Sequence, residues 1–424
     1  MSHWKISLWA ITLAAAGLPL YIHFPHFATM QLGLSLGWVG VMLTVLRIVD
    51  MAQDPLLGWL AQRGPFSQNT LARAVALGLG TGGFMLFAAP SLILTLTGSA
   101  LSYPHLWSVI WLTVTFSAYS LGMILLYGQT QNWSGQTDIK GQFSVAKYRE
   151  LGMLIGVVVL AITPSLASIS VGPALGYAAV GIVIAALSVA AVICQRGLWH
   201  ERDTPQISAP HTSWRDTLRH GTIPLLGLAW VNSLPVAITS TTFVFFVEDY
   251  LELDMLSGPL LIVFFISSAL GVPVWTALAR RIGTRATLLC AMGLALVCLS
   301  FTLTLNQGDL WAYVFVCLTT GFAIGADLVL LPSLFTAHLA RHALPQSQAF
   351  GLWSFASKLA LVGAALIALP ILDWVAFSSG TDNSDTARSA LLWLYAGVPA
   401  GLKLLSFLWV AALPRSVFHE QPAA

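Results

Sequence analysis

Apolar residues along this chain gather into runs of about twenty, separated by short polar breaks, and that length is what an α-helix needs to cross a bilayer core. Twelve runs stand out, at 6–27, 36–61, 71–97, 106–130, 147–167, 174–196, 223–247, 257–279, 285–305, 310–339, 347–372 and 387–413. They are too long and too uniformly apolar for the strands of a membrane barrel, and in hydrocarbon only helices or closed barrels satisfy their own peptide groups. The pattern therefore predicts an all-α membrane protein with twelve transmembrane helices. Pro19, Pro25, Pro90 and Pro273 lie inside runs and mark bends of the kind membrane helices tolerate. The first run is too long for a signal-peptide core and lacks a small-residue cleavage site, so it reads as the first span.

The longest polar segment, "QRGLWHERDTPQISAPHTSWRDTLRHGT" from Gln195 to Thr222, divides the spans six and six. The expected organisation is a six-helix half over 1–196, a linker over 197–221 and a second half over 222–424. A weak internal echo supports it. "GWLAQRGPFSQNTLARAVALG" follows the second span and "VWTALARRIGTRATLLCAMGLAL" the eighth, each joining two spans through a short basic turn. Two parallel six-helix halves resemble the major facilitator superfamily, in which the substrate site lies between the halves near the midplane. Fourteen of the nineteen Lys and Arg residues fall in loops on the side of the N-terminus, and only Arg388 falls in an opposite loop. By the positive-inside rule both termini are expected in the cytoplasm of a multi-pass plasma-membrane protein, the inner membrane if the cell is bacterial.

Composition agrees: 57% of the 424 residues are hydrophobic and 8% charged, against about 25% charged in soluble domains. A net charge of +2, spread over many loops, gives no reason to expect nucleic acid. The four cysteines fall in apolar runs without metal-like spacing and read as reduced packing residues. The chain has no Walker loop for ATP phosphates, no H-E-x-x-H, no G-x-S-x-G and no paired C-x-x-C, so no enzyme activity and no cofactor are expected. The expected partners are a small-molecule substrate and the lipid bilayer, with the chain acting as a monomer.

Against this apolar background the second span, in "VLRIVDMAQDPLLGWLAQR", carries Arg47, Asp50 and Asp54. Spacings of three and four residues put all three on one helix face. A charge at the bilayer centre costs about 2.5–3.5 kcal/mol on insertion scales, so such residues face the bundle interior and have partners. With one arginine and two carboxylates, the stripe carries −1 and has room for one monovalent cation or one proton. An ion pair that merely fixes helix packing accounts for Arg47 and one carboxylate, and leaves the second carboxylate unexplained.

"VGVMLTVLRIVDMAQDPLLGWLAQR" is similar to the second-helix motif of the glycoside–pentoside–hexuronide:cation symporters, with its Arg, its two Asp four apart, Pro and Gly. "AKYRELGMLIG" resembles the start of that family's fifth helix, and "FGLWSFASKLALVGAAL" its eleventh, including the family's lysine. The resemblance implies cation-site roles for Asp50, Asp54 and Ser120, positions beside the sugar for Arg149 and Tyr127, and a link from Lys358 to the cation site. It fails at two places. The family's fourth-helix aspartate falls at Met123 and its first-helix aspartate near Ala14. Sugar hydroxyls in a dry site need acceptors, so a typical disaccharide is not the expected substrate.

Other residues compete for the vacated roles. His23 and His26, one turn apart near the outer end of the first span, read either as interface anchors or as a proton-sensitive outer gate. Asp327 in the tenth span needs a basic partner, with Lys358 or Arg149 the expected candidates. Trp353 precedes Lys358 and is expected at the substrate. Glu150 reads as part of a helix start, and Lys403 as either snorkelling or facing the interior. "EDYLELD", Glu248 to Asp254, reads as a solvated outer loop. Together these features predict a secondary transporter coupled to Na⁺ or H⁺ that moves a sugar-like solute or an organic anion by alternating access. The fixed charge of Arg149 and Lys358 favours the anion. A uniporter or lipid-type transporter on the same fold stays open, as does, in another class, a non-transporting receptor or assembly factor.

Overall fold

The structure is a computed structural model that describes residues 3–63, 65–99, 101–134, 139–171, 173–195, 197–199, 218, 221–253, 256–377 and 383–418. Among these every regular element is helical. In chain order the helices are α1 (His3–Ala15), α2 (Leu18–Met30), α3 (Leu36–Arg63), α4 (Gln68–Gly83), α5 (Ala89–Thr97), α6 (Pro104–Gly128), α7 (Thr130–Ser134), α8 (Ile139–Val171) and α9 (Pro173–Cys194). They continue as α10 (Thr222–Phe245), α11 (Ser257–Ile282), α12 (Thr284–Thr302), α13 (Leu310–Arg341), α14 (Gln346–Trp374), α15 (Asp385–Leu392) and α16 (Val398–Ala412). Single π-turns at Phe84–Ala88 and Trp393–Gly397 bridge α4 to α5 and α15 to α16, and a third, Phe246–Tyr250, ends α10.

Each of the twelve expected spans coincides with one helix or with two in tandem. Among the described residues nine helical stretches are long and apolar enough to cross a membrane. The other three expected spans have local reasons to fall short. α3 and α8 carry internal charges. The first span is broken: Pro19 has no N–H to give the carbonyl four residues back, and the chain tightens there into i→i−3 bonds from Ala16 to Leu13 and from Gly17 to Ala14.

The chain forms two compact units. The first comprises Met1–Gly135, Tyr148–Ser213 and Leu344–Ser354, and the second Gln136–Lys147, Trp214–Ala343 and Phe355–Ala424. The linker expected at 197–221 lies almost wholly outside the described residues.

Without a hydrophobic drive between helices in lipid, close approach depends on small residues at the seams, and both units show it. In the first, a Cβ at Gly152 would stand 2.5 Å from the Ser7 carbonyl oxygen and one at Gly156 2.4 Å from that of Ile11, so α8 lies directly on α1. The start of α14 seats in the same unit, where a Cβ on Gly351 would lie 2.8 Å from the Asp54 carbonyl oxygen. In the second unit Gly321, Gly325 and Gly271 bring α13 and α11 together, with the same 2.4–2.8 Å clearance to Phe264, Ser268 and Phe322 carbonyl oxygens.

These seams yield a matched test. Gly156→Ala is expected to destabilise the protein by about 1–3 kcal/mol through overpacking. Gly401→Ala, on α16 with nothing within 4 Å of the added methyl, is expected to be neutral or slightly stabilising, because alanine is the better helix former. Thermal unfolding of the two variants in one detergent checks the difference.

Candidate functional site

The second-span stripe is built as the helical spacing predicts. α3 runs without interruption from Leu36 to Arg63 through Pro55, so Arg47, Asp50 and Asp54 share one face. Arg47 is half-buried, Asp50 is buried and Asp54 is completely buried. Asp50 Oδ1 accepts from the Ser120 hydroxyl of α6 at 2.5 Å and from Gln53 Nε2 at 3.0 Å. Gln53 Oε1 in turn accepts from Ser117 Oγ at 2.9 Å. The structure thus brings Asp50 and Ser120 together as the resemblance implies, and adds Gln53 and Ser117, which the sequence reading missed. The i, i+3 spacing from Asp50 to Gln53 is the signal that would have found the first of them. What the arrangement offers is a cluster of oxygens with net charge −1, the donor type hard cations take.

Arg149 and Tyr127 also come together, in a form the sequence did not suggest. The Arg149 guanidinium lies 3.8 Å from the centre of the Tyr127 ring, a cation–π contact in a desolvated place. Its Nε donates to Glu150 Oε1 at 2.8 Å, its Nη1 donates to Thr130 Oγ1 at 2.7 Å, and the Tyr127 hydroxyl donates to the same Glu150 oxygen at 3.0 Å. Arg149 and Glu150 are both essentially unexposed. Glu150, expected only to belong to a helix start, is instead the partner that neutralises Arg149. A rotation of 100° separates adjacent residues on a helix, but two long side chains span it. Trp353 is half-buried and reaches this cluster indirectly: its ring lies 6.2 Å from Phe350, and Phe350 lies 5.4 Å from Tyr127.

In the second unit Asp327 has a basic partner, but neither of the two expected. Lys403 Nζ of α16 donates to Asp327 Oδ2 of α13, and to Asn232 Oδ1 of α10 at 2.9 Å. Lys403 is buried rather than snorkelling. Nothing in the sequence pointed to this choice, since the three residues lie on three helices far apart along the chain. Lys358 is half-buried on α14, in the part of that helix that belongs to the second unit.

The positions of the missing family acids differ in kind. Ala14 is buried where α1 meets α8, with its methyl 3.0 Å from a Cβ built on Gly156, so it serves a helix seam. Met123 is half-buried on α6. His23 is half-buried and meets the Tyr177 ring edge to face at 6.1 Å; the side chain of His26 lies outside the described residues. Cys298 and Cys317 are buried, but Cys290 is exposed, against expectation. Among the described residues no group of three or more His, Cys, Asp or Glu side chains is placed to hold a metal ion.

Solved structures share this fold. One is a bacterial homologue of the iron transporter ferroportin in an outward-facing state, with a TM-score of 0.68 at 12% identity over 96% of this chain and 98% of that one. Another is FucP, a major facilitator superfamily transporter in the outward conformation, with a TM-score of 0.68 at 12% identity over 96% and 97%. No curated protein matches the sequence. The fold is that of the major facilitator class, and the family match makes the chain a transporter and not an enzyme. Residues 6–415 match the model of the MFS/sugar transport protein family, and the chain belongs to that family, consistent with its resemblance to the glycoside–pentoside–hexuronide symporters.

The Arg149–Glu150 pair sets a stability test. Removing one partner of a buried ion pair strands the other, at a cost of about 3–5 kcal/mol. Glu150→Gln is therefore expected to lower the unfolding temperature strongly, and the double variant Arg149→Gln/Glu150→Gln to recover part of the loss. If unfolding in detergent shows Glu150→Gln to be neutral, the pair does not neutralise Arg149.

Proposed function

We propose that this transporter is a cation-coupled symporter in which Asp50 and Asp54, with Ser120 and Gln53, bind one Na⁺ or H⁺, and in which Arg47 balances one of the two carboxylates. The observation that carries the proposal is the Asp50 carboxylate, held by two donors from α3 and α6 with a second, completely buried carboxylate one turn further on. A single monovalent cation brings this stripe from −1 to neutral, and that change is what couples the ion to the protein.

The solute in this proposal is a sugar-like polar molecule. The fixed charge of Arg149 would speak for an organic anion, but Glu150 offsets it. Tyr127, Arg149 and Trp353 are the proposed solute contacts of the first unit, and Lys358 is proposed separately as a solute-binding residue of the second. Aromatic rings such as Phe350 and Trp353 suit the apolar faces of a sugar ring, and Lys358 would add affinity for an acid group on a sugar acid. In this reading the transporter is a monomer of the plasma membrane, and the distribution of Lys and Arg supports placing both termini in the cytoplasm.

A ligand that binds only the folded state stabilises it by mass action, by about 2.7 kcal/mol at one hundred times its Kd. Na⁺ is accordingly expected to raise the unfolding temperature of the purified protein, and Asp50→Asn or Asp54→Asn to abolish that rise. If acidification without Na⁺ gives the carboxylate-dependent shift instead, the ion is H⁺. Screening neutral sugars, sugar acids, other organic anions and lysolipids with and without Na⁺ identifies the solute, and proteoliposome uptake of the best hit then tests coupling. Uptake that is driven by an ion gradient equally well in Asp54→Asn would sink the assignment.

A further inference from the structure

The cluster of Asn232, Asp327 and Lys403 in the second unit takes no part in the proposed cation stripe. Its three residues are 6%, 8% and 5% exposed, and they join α10, α13 and α16. The placement follows from the α11–α13 seam. Gly325 faces α11, and Asp327, two residues on, is turned by about 200°, away from that helix and toward α10 and α16. One carboxylate oxygen, Oδ2, and the Asn232 carbonyl oxygen take two of the three Lys403 protons. The other oxygen, Asp327 Oδ1, is buried and has no hydrogen-bond partner. Leaving a buried acceptor without a donor costs about 1–3 kcal/mol, and more when the group is charged.

We propose that Asp327 is a proton-binding site of the second unit, separate from the Asp50–Asp54 stripe. A proton from water adds to Oδ1, the carboxylate becomes a neutral carboxyl, and the Lys403 ammonium keeps its bond to Asn232 Oδ1. The cluster passes from neutral to +1, and nothing is oxidised or reduced. A proton fits where a metal cation does not, because the ammonium already holds the cation position against the carboxylate and repels a second ion. It is also small enough to reach an oxygen sealed from bulk solvent.

Among the described residues no other charged side chain is hydrogen-bonded to Asp327. On α13 itself the nearest titratable residues are Cys317 and His338, ten and eleven positions away, or about 15 Å along the axis. α10 carries none, and α11 has only Arg280 and Arg281 in its last turn. α12 carries Arg285, Cys290 and Cys298, α14 carries Lys358 and Asp373, and α16 carries Lys403 alone.

Proton binding changes how the helices are tied. Without the proton, Lys403 anchors α16 to α13 through an ion pair and to α10 through a neutral bond. With it, the ion pair to α13 becomes a bond from the ammonium to a neutral carboxyl oxygen, no stronger than the bond to Asn232, so protonation weakens the tie between α13 and α16 and favours any conformation in which they part. This use in coupling rests on the symporter reading; the proton chemistry does not.

Infrared difference spectra of the full-length protein in lipid nanodiscs, acidified stepwise, test the site. In the Asp50→Asn/Asp54→Asn background, which removes the carboxyls of the stripe, the C=O stretch of a buried protonated carboxyl is expected to grow as pH falls and to lose a component when Asp327→Asn is added. Should Asp327→Asn fail to fold with Lys403 left uncompensated, the neutral double variant Asp327→Asn/Lys403→Gln carries the same comparison. The proposal is overturned if that background shows no such band while it stays folded, or if Asp327→Asn leaves the band unchanged. Neither result bears on Na⁺ binding at Asp50 and Asp54, so the two readings fail separately.

Discussion

A charge inside hydrocarbon costs about 2.5–3.5 kcal/mol even on the most lenient scale, and this chain places Arg47, Asp50, Asp54, Arg149, Glu150, Asp327, Lys358 and Lys403 within its spans. How those charges are compensated organises the rest of the molecule. Two sets are closed pairs: Arg149 with Glu150, and Lys403 with Asp327. Each brings polar neighbours that take up part of the remaining hydrogen-bonding capacity, Thr130 and Tyr127 in one case and Asn232 in the other, while Arg149 Nη2 and Asp327 Oδ1 stay without a partner among the described residues. The stripe on α3 differs in composition, because one arginine shares a helix face with two carboxylates.

Such pairs form in a dry interior only if helices approach closely enough for side chains on separate elements to meet. Glycine at the seams provides that approach and fixes the rotation of each helix as well. Gly152 lies on α1, which turns Glu150, two residues earlier, to the side where it meets Tyr127 of α6. Gly325 lies on α11, which turns Asp327 toward Lys403. The chemistry of both units is thus set by a small residue two positions away, and a methyl group there would displace the charge as well as the backbone.

The fold was legible along the chain because a membrane span is a local property: length and apolarity within one segment decide it. The stripe was legible for the same reason, since Arg47, Asp50 and Asp54 relate to one another through a single helix. Asp327 was legible as a residue in need of a base, yet its base was not, because Lys358, Arg149 and Lys403 are equally charged and only the packing of α13 against α10 and α16 selects among them. Glu150 was discounted for a sound local reason, its 100° offset from Arg149, and side-chain reach overrode it. Ala14 shows the opposite failure. Compared with related symporters it is an acid missing from a sugar site, whereas in this chain it is a buried methyl on the seam between α1 and α8.

The difference between closed pairs and the open stripe also ranks the two cation sites. A cation at Asp50 and Asp54 removes net charge from a low-dielectric region, so binding there is favoured by the same electrostatics that make the empty stripe costly. A proton on Asp327 does the reverse, turning a neutral cluster into one of +1, and it gains only the satisfaction of one carboxylate oxygen. In the proposed scheme the stripe supplies driving force, and Asp327, whose ion pair with Lys403 ties α13 to α16, links a proton to the conformation of the second unit.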